Sequence, residues 1–206
     1  MKVTKAQVQA NRARIVETAS TLFRERGYDG VGVADLMAAA GFTHGGFYKH
    51  FGSKADLMAE SAACGFSQTV AMTESSDLAA FVQQYLSRQH RDAPGQGCTM
   101  AALCADAARQ PKPVREVFAT GLERLLAALT PDDAGDATMS REMRAKYLDV
   151  IAHAVGALVL SRACPDDSPL ADEILETCRS VIQSNLPALP KPEPGGFVPD
   201  SRAPMG

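Results

Sequence analysis

Apolar positions recur along this chain at three- and four-residue steps, the spacing of amphipathic helices, and no convincing period-two strand pattern interrupts them. The first helix is predicted over about 6–26, with Ile15, Ala19, Leu22 and Phe23 as its apolar stripe. A second covers Val33 to Ala40 and closes on Gly41, because glycine readily takes the left-handed backbone just past a helix end. Thr43 follows as the cap of a short third helix, its hydroxyl placed to accept a backbone N–H. Ser53-Lys54-Ala55-Asp56 is a capping-box variant that opens a fourth helix running towards Met72. Further helices are expected over about 77–91, Cys98–Gln110, 113–129, Ser140–Ala163 and Ser168–Asn185. Loop signals separate them at 73–77, 92–97, 111–113, 131–136 and 164–167. The run from Ile151 to Ala163 is small and apolar, suited to a core or a subunit seam, with Leu158 on its stripe and Val181 on that of the last helix. From Pro187 on, six prolines in twenty residues forbid a helix, and the tail is expected to be disordered. The expected fold class is all-α.

Chemistry concentrates in one stretch, Gly41 to Leu57, GFTHGGFYKHFGSKADL. It reads as the second half of a DNA-binding helix-turn-helix followed by the capped start of another helix. A short helix bearing hydroxyl, imidazole and ammonium groups on one face suits a major groove. Phe47 and Phe51 alternate with that polar face at helical spacing and are expected as core plugs.

Upstream stand Leu22-Phe23 and Gly27, then Ala40-Gly41, Gly45, Phe47-Tyr48, His50-Phe51, and Lys54 with Leu57. In these marks at fixed offsets, the segment Val8 to Ala63 resembles the N-terminal domain of the TetR family of bacterial transcriptional regulators. The resemblance implies an all-helical homodimer that binds a palindromic double-stranded DNA operator. It also implies a variable C-terminal domain that binds an inducer or seals the dimer. The domains expected are a helix-turn-helix domain at 1–52, a helical regulatory and dimerisation domain at 53–186, and the tail at 187–206. The family's DNA-contacting positions fall here on Thr43, Gly45, Tyr48, Lys49 and His50. Tyr48 is expected to donate its hydroxyl to a phosphate, and Lys54 to add an ammonium in the first turn of the following helix. Gly45 lets the backbone approach DNA, while His44 and Lys49 are the expected base readers. His50 is left open between internal stacking and a phosphate contact. The Gly45-Gly46 pair departs from the family pattern, and each glycine inside a helix costs about 1 kcal/mol against alanine. A soft reader follows.

Charge sharpens this picture. Residues 1–54 hold eight Lys/Arg against four acids, a net +4 within a chain of net −3, which leaves −7 for the remainder. A basic head on an acidic body directs a polyanion to the head. No apolar segment reaches membrane-spanning length and the first residues lack a signal-peptide core, so a cytoplasmic protein without a membrane partner is expected. Five scattered cysteines (Cys64, Cys98, Cys104, Cys164, Cys178) form neither a disulfide framework nor a C-x-x-C pair, and no metal or cofactor is expected.

The residues leave three function classes open: an effector-responsive repressor, a DNA-binding scaffold that senses nothing, and a helical enzyme. The enzyme would need clustered acid, base or nucleophile groups, yet His44, His50, His90 and His153 are scattered. A transcriptional repressor released from DNA by a small-molecule or reactive effector is the expectation. No effector-lining residue is assigned by sequence. Cys98, which opens a predicted helix where unsatisfied N–H groups favour a thiolate, is the candidate redox or electrophile sensor.

Overall fold

The computed structural model describes residues 4–74, 78–129 and 141–186. All the regular structure there is helical: α1 Lys5–Arg26, α2 Val33–Ala39, α3 Lys54–Glu74, α4 Leu78–Tyr85, α5 Arg88–Asp92, α6 Thr99–Ala107, α7 Lys112–Ala128, α8 Arg141–Ala163 and α9 Pro169–Asn185. Short 3-10 helices occupy His44–Lys49 and Pro94–Gln96. Of the break expected at 73–77, Thr73 and Glu74 still belong to α3, while 75–77, the expected loop at 131–136 and the proline-rich tail from 187 lie outside the described residues.

Local chemistry explains most boundaries. The Thr4 hydroxyl accepts the Gln7 N–H at 3.2 Å and so caps α1. Gly41 sits at φ 83°, and behind it the N–H of Gly41 reaches Ala38 O while that of Phe42 reaches Met37 O. This paired closure satisfies the last carbonyls of α2 and turns the chain sharply towards His44. Ser53 Oγ accepts the Asp56 N–H at 3.1 Å at the start of α3, as the capping signal implied. Pro169 in the first turn of α9 lacks only an N–H that would have had no partner there.

The single helix expected over 77–91 is divided in two. Ser87 leaves the helical conformation (φ −109°, ψ 154°) and its hydroxyl accepts the His90 N–H at 3.2 Å, capping α5. Serine competes for backbone hydrogen bonds in this way, and the apolar periodicity that runs through the break conceals it.

Two apolar clusters organise the packing. The first joins Ile15, Phe23, Tyr28, Leu36, Met37, Phe47, Phe51 and Leu57, and it draws in Leu103, Ala107 and Val114 from α6 and α7. The second gathers Phe66, Val82, Tyr85, Leu86, Met100, Leu125, Leu158, Leu175 and Ile182. Phe118 touches both. Close packing of α3 on α7 depends on Gly121, where an added Cβ would stand 2.3 Å from the Phe66 ring.

Leu158 is fully buried inside this second cluster, so it is a core residue of the protomer and not part of an outward seam. The large apolar side chains that α8 and α9 leave outside are Leu148, Val159, Leu160, Leu170 and Val181.

Candidate nucleic-acid interface

The turn at Gly41 and Phe42 delivers Thr43 in an extended conformation (φ −83°, ψ 149°), and the reader begins at His44. It forms a 3-10 helix where a short α-helix was expected. Thr43 O accepts the Gly46 N–H at 2.9 Å and Phe47 O accepts the His50 N–H at 2.9 Å, both three-residue steps. The Gly45-Gly46 pair favours α-helix poorly, and six residues are too few to offset that cost. Nor does the Thr43 side chain cap the segment, contrary to the sequence expectation.

Packing fixes which way the reader faces. Phe47 is fully buried and Phe51 nearly so, their rings 5.5 Å apart, which makes them the plugs that hold the segment to the first cluster. Tyr48 is thereby turned outward and is 69% exposed, one edge against Phe47 and another near His44. Thr43, His44, Gly45 and Lys49 share the exposed surface. Nothing lies within 4 Å of where a Gly45 Cβ would stand, so the protein itself does not require glycine there.

His50 and Lys54 are placed differently. The His50 ring is half-buried beside Phe42 and Phe51, and its Nδ1 is enclosed without a hydrogen-bond partner among the described residues. Its carbonyl accepts from Arg12 Nε at 3.3 Å, while the Arg12 guanidinium stacks 4.7 Å over Phe51 and pairs with Glu60. Lys54 is half-buried and donates from Nζ to Tyr28 O at 2.6 Å, close to the Phe23 ring. One of its three donors thus ties α3 to the end of α1. Arg14, which sequence reasoning passed over, is exposed and stands beside the Gly41 turn. Only the tertiary packing of α1 on α2 brings this cation to the reader's edge.

Cys98, the residue singled out in the body, is 4% exposed and precedes the first turn of α6 without capping it through its side chain. Its N–H donates to His90 Nε2 at 3.1 Å, and His90 Nδ1 meets Tyr85 O at 2.7 Å. Because Nε2 must accept, the proton sits on Nδ1 and the ring is neutral. Burial lowers the His90 pKa, and Arg162 adds to that. The loop before Cys98 is held from the other side by α1. Arg24 Nε and Nη2 both donate to Gly95 O, at 3.0 and 2.6 Å, and Nη1 donates to Ser20 Oγ at 2.7 Å. At the far end of α6, Asp106 Oδ2 accepts the Tyr28 N–H at 3.0 Å. Sequence reasoning missed Arg24, since a basic residue in the last turn of α1 reads as a solvated cation until Gly95 is seen against it.

Between α3, α4, α5 and the 93–98 wall lies a cavity of about 150 Å3, lined by Thr69, Met72, Phe81, Tyr85 and Cys98 among others. Among the described residues no group of three or more His, Cys, Asp or Glu side chains could hold a metal ion. No described helix is long and apolar enough to cross a membrane.

Comparison with known proteins agrees with this architecture. Residues 15–60 match the model of the bacterial regulatory proteins, tetR family. An uncharacterized HTH-type transcriptional regulator of Mycobacterium tuberculosis is 28% identical over 199 residues, covering 87% of this chain and 98% of that protein. The HTH-type transcriptional regulator TtgR of Pseudomonas putida is 42% identical over 55 residues, 27% of this chain and 26% of TtgR. In three dimensions the reduced form of Escherichia coli NemR superposes with a TM-score of 0.69 at 20% identity, over 87% of this chain and all of that one. A TetR-family regulator from Agrobacterium tumefaciens gives 0.64 at 23% identity, covering 86% and 98% of the two chains. Family model, near-full-length relative and fold agree, and residues 15–60 are an N-terminal domain of the tetR family of bacterial regulatory proteins.

Proposed function

We propose that this regulator is a repressor that binds a palindromic operator as a homodimer and leaves it when an effector occupies or modifies the body. Residues 1–52 are the reading domain and 53–186 the sensing and pairing domain. Tyr48 donates to a phosphate, His44 and Lys49 meet base edges, and Thr43 and Gly45 let the reader's backbone approach the groove. His50 positions the reader through its carbonyl and ring. Lys54 holds α3 to α1 with one donor and offers the others to a phosphate.

The observation that carries the effector reading is the grip of Arg24 on Gly95. The wall of the cavity hangs from α1, which packs on α2 and holds the end of the reader through Arg12 and the His50 carbonyl, so whatever displaces residues 94–98 acts on the helix against which the reader is set. A reactive effector would act through Cys98, at the end of that wall. Pairing is supported by the outward apolar side chains of α8 and α9, of which Leu160 is 60% exposed. Two readers then face successive major grooves, about 34–36 Å apart.

Selection of a binding site from random duplexes, followed by titration with oxidant, tests the reading. A palindrome should emerge, and oxidant should release it from wild type but not from Cys98→Ser. Release from both proteins alike removes Cys98 from the mechanism. Failure to select any palindrome removes the dimeric repressor.

A further inference from the structure

The cavity behind Cys98 has features that define a ligand. Its volume, about 150 Å3, is of the size that holds a single benzene-like ring in a protein interior. Met72, Phe81 and Tyr85 supply apolar walls, and Gln68 and Gln84 supply amides. No Asp, Glu, Lys or Arg is among the lining residues. A ligand with a full charge would therefore lose its hydration without gaining an ionic partner.

Tyr85 is the unusual member. Its ring is held on two sides, by Phe81 at 5.6 Å and by His90 edge-on at 4.7 Å between centroids. Its hydroxyl is buried and has no hydrogen-bond partner of ordinary geometry among the described residues. The Cys98 thiol lies against it, and sulfur is a weak acceptor. Burial pushes the Tyr85 pKa well up, so the group remains an O–H donor at any working pH. Buried donors almost always find an acceptor in folded proteins, and one left over beside a cavity points to a group that arrives from outside.

The field behind the wall favours the same orientation. Arg24 is buried and Arg162 half-buried, their guanidinium groups are held mainly by carbonyl oxygens, and Arg162 Nη1 has no hydrogen-bond partner among the described residues. Both sit behind the Gly95–Cys98 wall, so the negative end of a ligand dipole is drawn towards Tyr85 and Cys98.

We propose that this cavity is the effector site and takes an uncharged carbonyl compound built on one aromatic ring, whose oxygen accepts the Tyr85 hydroxyl. The proposal rests on the effector-release reading above and names its ligand class. Non-covalent occupancy sets the ring against Met72 and Phe81 and replaces the sulfur contact of Tyr85 by a carbonyl oxygen. Cys98 must then give way, and with it the segment that Arg24 holds.

Calorimetric titration of the full-length protein tests this with three probes of like size. Acetophenone carries the acceptor oxygen, α-methylstyrene replaces it by an isosteric CH2, and benzoate carries a charge. Acetophenone should bind about tenfold more tightly than α-methylstyrene, as expected when one buried hydrogen bond is gained. Benzoate should bind more weakly than either. Tyr85→Phe, checked for an unchanged helical spectrum, should bring acetophenone down to the level of α-methylstyrene and leave the latter unaltered. Equal binding of acetophenone and α-methylstyrene to wild type would overturn the proposal, as would acetophenone binding that ignores Tyr85→Phe. Tight benzoate binding would mean that the buried arginines recognise an anion, and overturns it too. Operator binding without ligand is measured in parallel, so failure of the repressor reading appears there and is distinguished from failure of the ligand. Acetophenone that binds yet leaves operator affinity unchanged overturns the effector role.

Discussion

The reader and the cavity wall treat their polar groups in opposite ways. Across Thr43–Lys49 the hydroxyls, imidazole and ammonium lie on the surface, held outward by two buried phenyl rings. Across Tyr85–Cys98 the key polar groups are committed inward, although Gln89, Asp92 and Gln96 stay exposed. His90 bridges α4 and α6, Arg24 holds Gly95 O, and Arg162 holds the carbonyls of His90 and Arg91. Arg91 itself donates to Ser161 O and Oγ, Cys164 O, Asp92 and Asp166. Under the proposed function, a surface left with open donors gains contacts when DNA arrives and loses few. A wall with most of its groups already satisfied, the Tyr85 hydroxyl excepted, admits a ligand by exchanging contacts, and the exchange reaches α1. Recognition and response thus place different demands on the same residue types.

The largest effect should come from cutting the inward network at its centre. Arg91→Ala leaves the carbonyls of Ser161 and Cys164 without this donor, at a cost of about 3 kcal/mol. Urea unfolding measures it, and a loss below about 1 kcal/mol would mean that the network is not what holds α5 to α8.

Arg24→Met separates the two regions more selectively. It should cost about 1–3 kcal/mol, because Gly95 O loses two donors inside the protein. Operator binding should persist while its response to effector disappears. Gel retardation with and without effector decides the matter, and an unchanged response would show that the signal bypasses α1.

Pairing can be broken from outside. Leu160→Glu should leave the protomer folded but monomeric, with operator affinity down at least tenfold. Leu158→Glu should unfold it, since that side chain is fully enclosed. Light scattering beside circular dichroism separates the outcomes. A Leu160→Glu dimer of normal affinity would place the seam elsewhere.

Changes at the reader should be smaller and touch no stability. Lys49→Ala should relax preference at the base pair it meets and, by removing a cation from the groove, lower the slope of log affinity against log salt by up to about one unit. Tyr48→Phe should weaken all sequences alike and leave the slope intact. Titration at several salt concentrations distinguishes the two. Equal affinity for both variants and wild type would remove the reader assignment.

The smallest expected effect is a pH dependence. Burial holds His90 below its ordinary value of 6.5, so between the two values the unfolded chain binds more protons than the folded one. Stability is therefore full above about 6.5 and declines as pH falls through that range. His90→Gln, which retains an acceptor and a donor, should flatten the decline relative to wild type.

What the sequence by itself determined was whatever rests on neighbours in the chain. The helical period, the closure of α2 by Gly41, the Ser53 cap and the outward Tyr48 between inward Phe47 and Phe51 all follow from side chains a few residues apart. The proposed DNA-reading stretch is continuous, and the placement of its side chains was legible for that reason. Only the tertiary structure decided the remainder. Ser87 divides an apolar stripe that periodicity runs through, and two glycines tip the reader into a 3-10 helix. Leu158 points into the core and Leu160 away from it, which no composition of α8 reveals. Arg24 meets Gly95 across seventy-one positions, and Tyr85 is left with an unmatched hydroxyl beside Cys98. Such contacts depend on how whole helices pack, and packing is a property of surfaces assembled from distant residues.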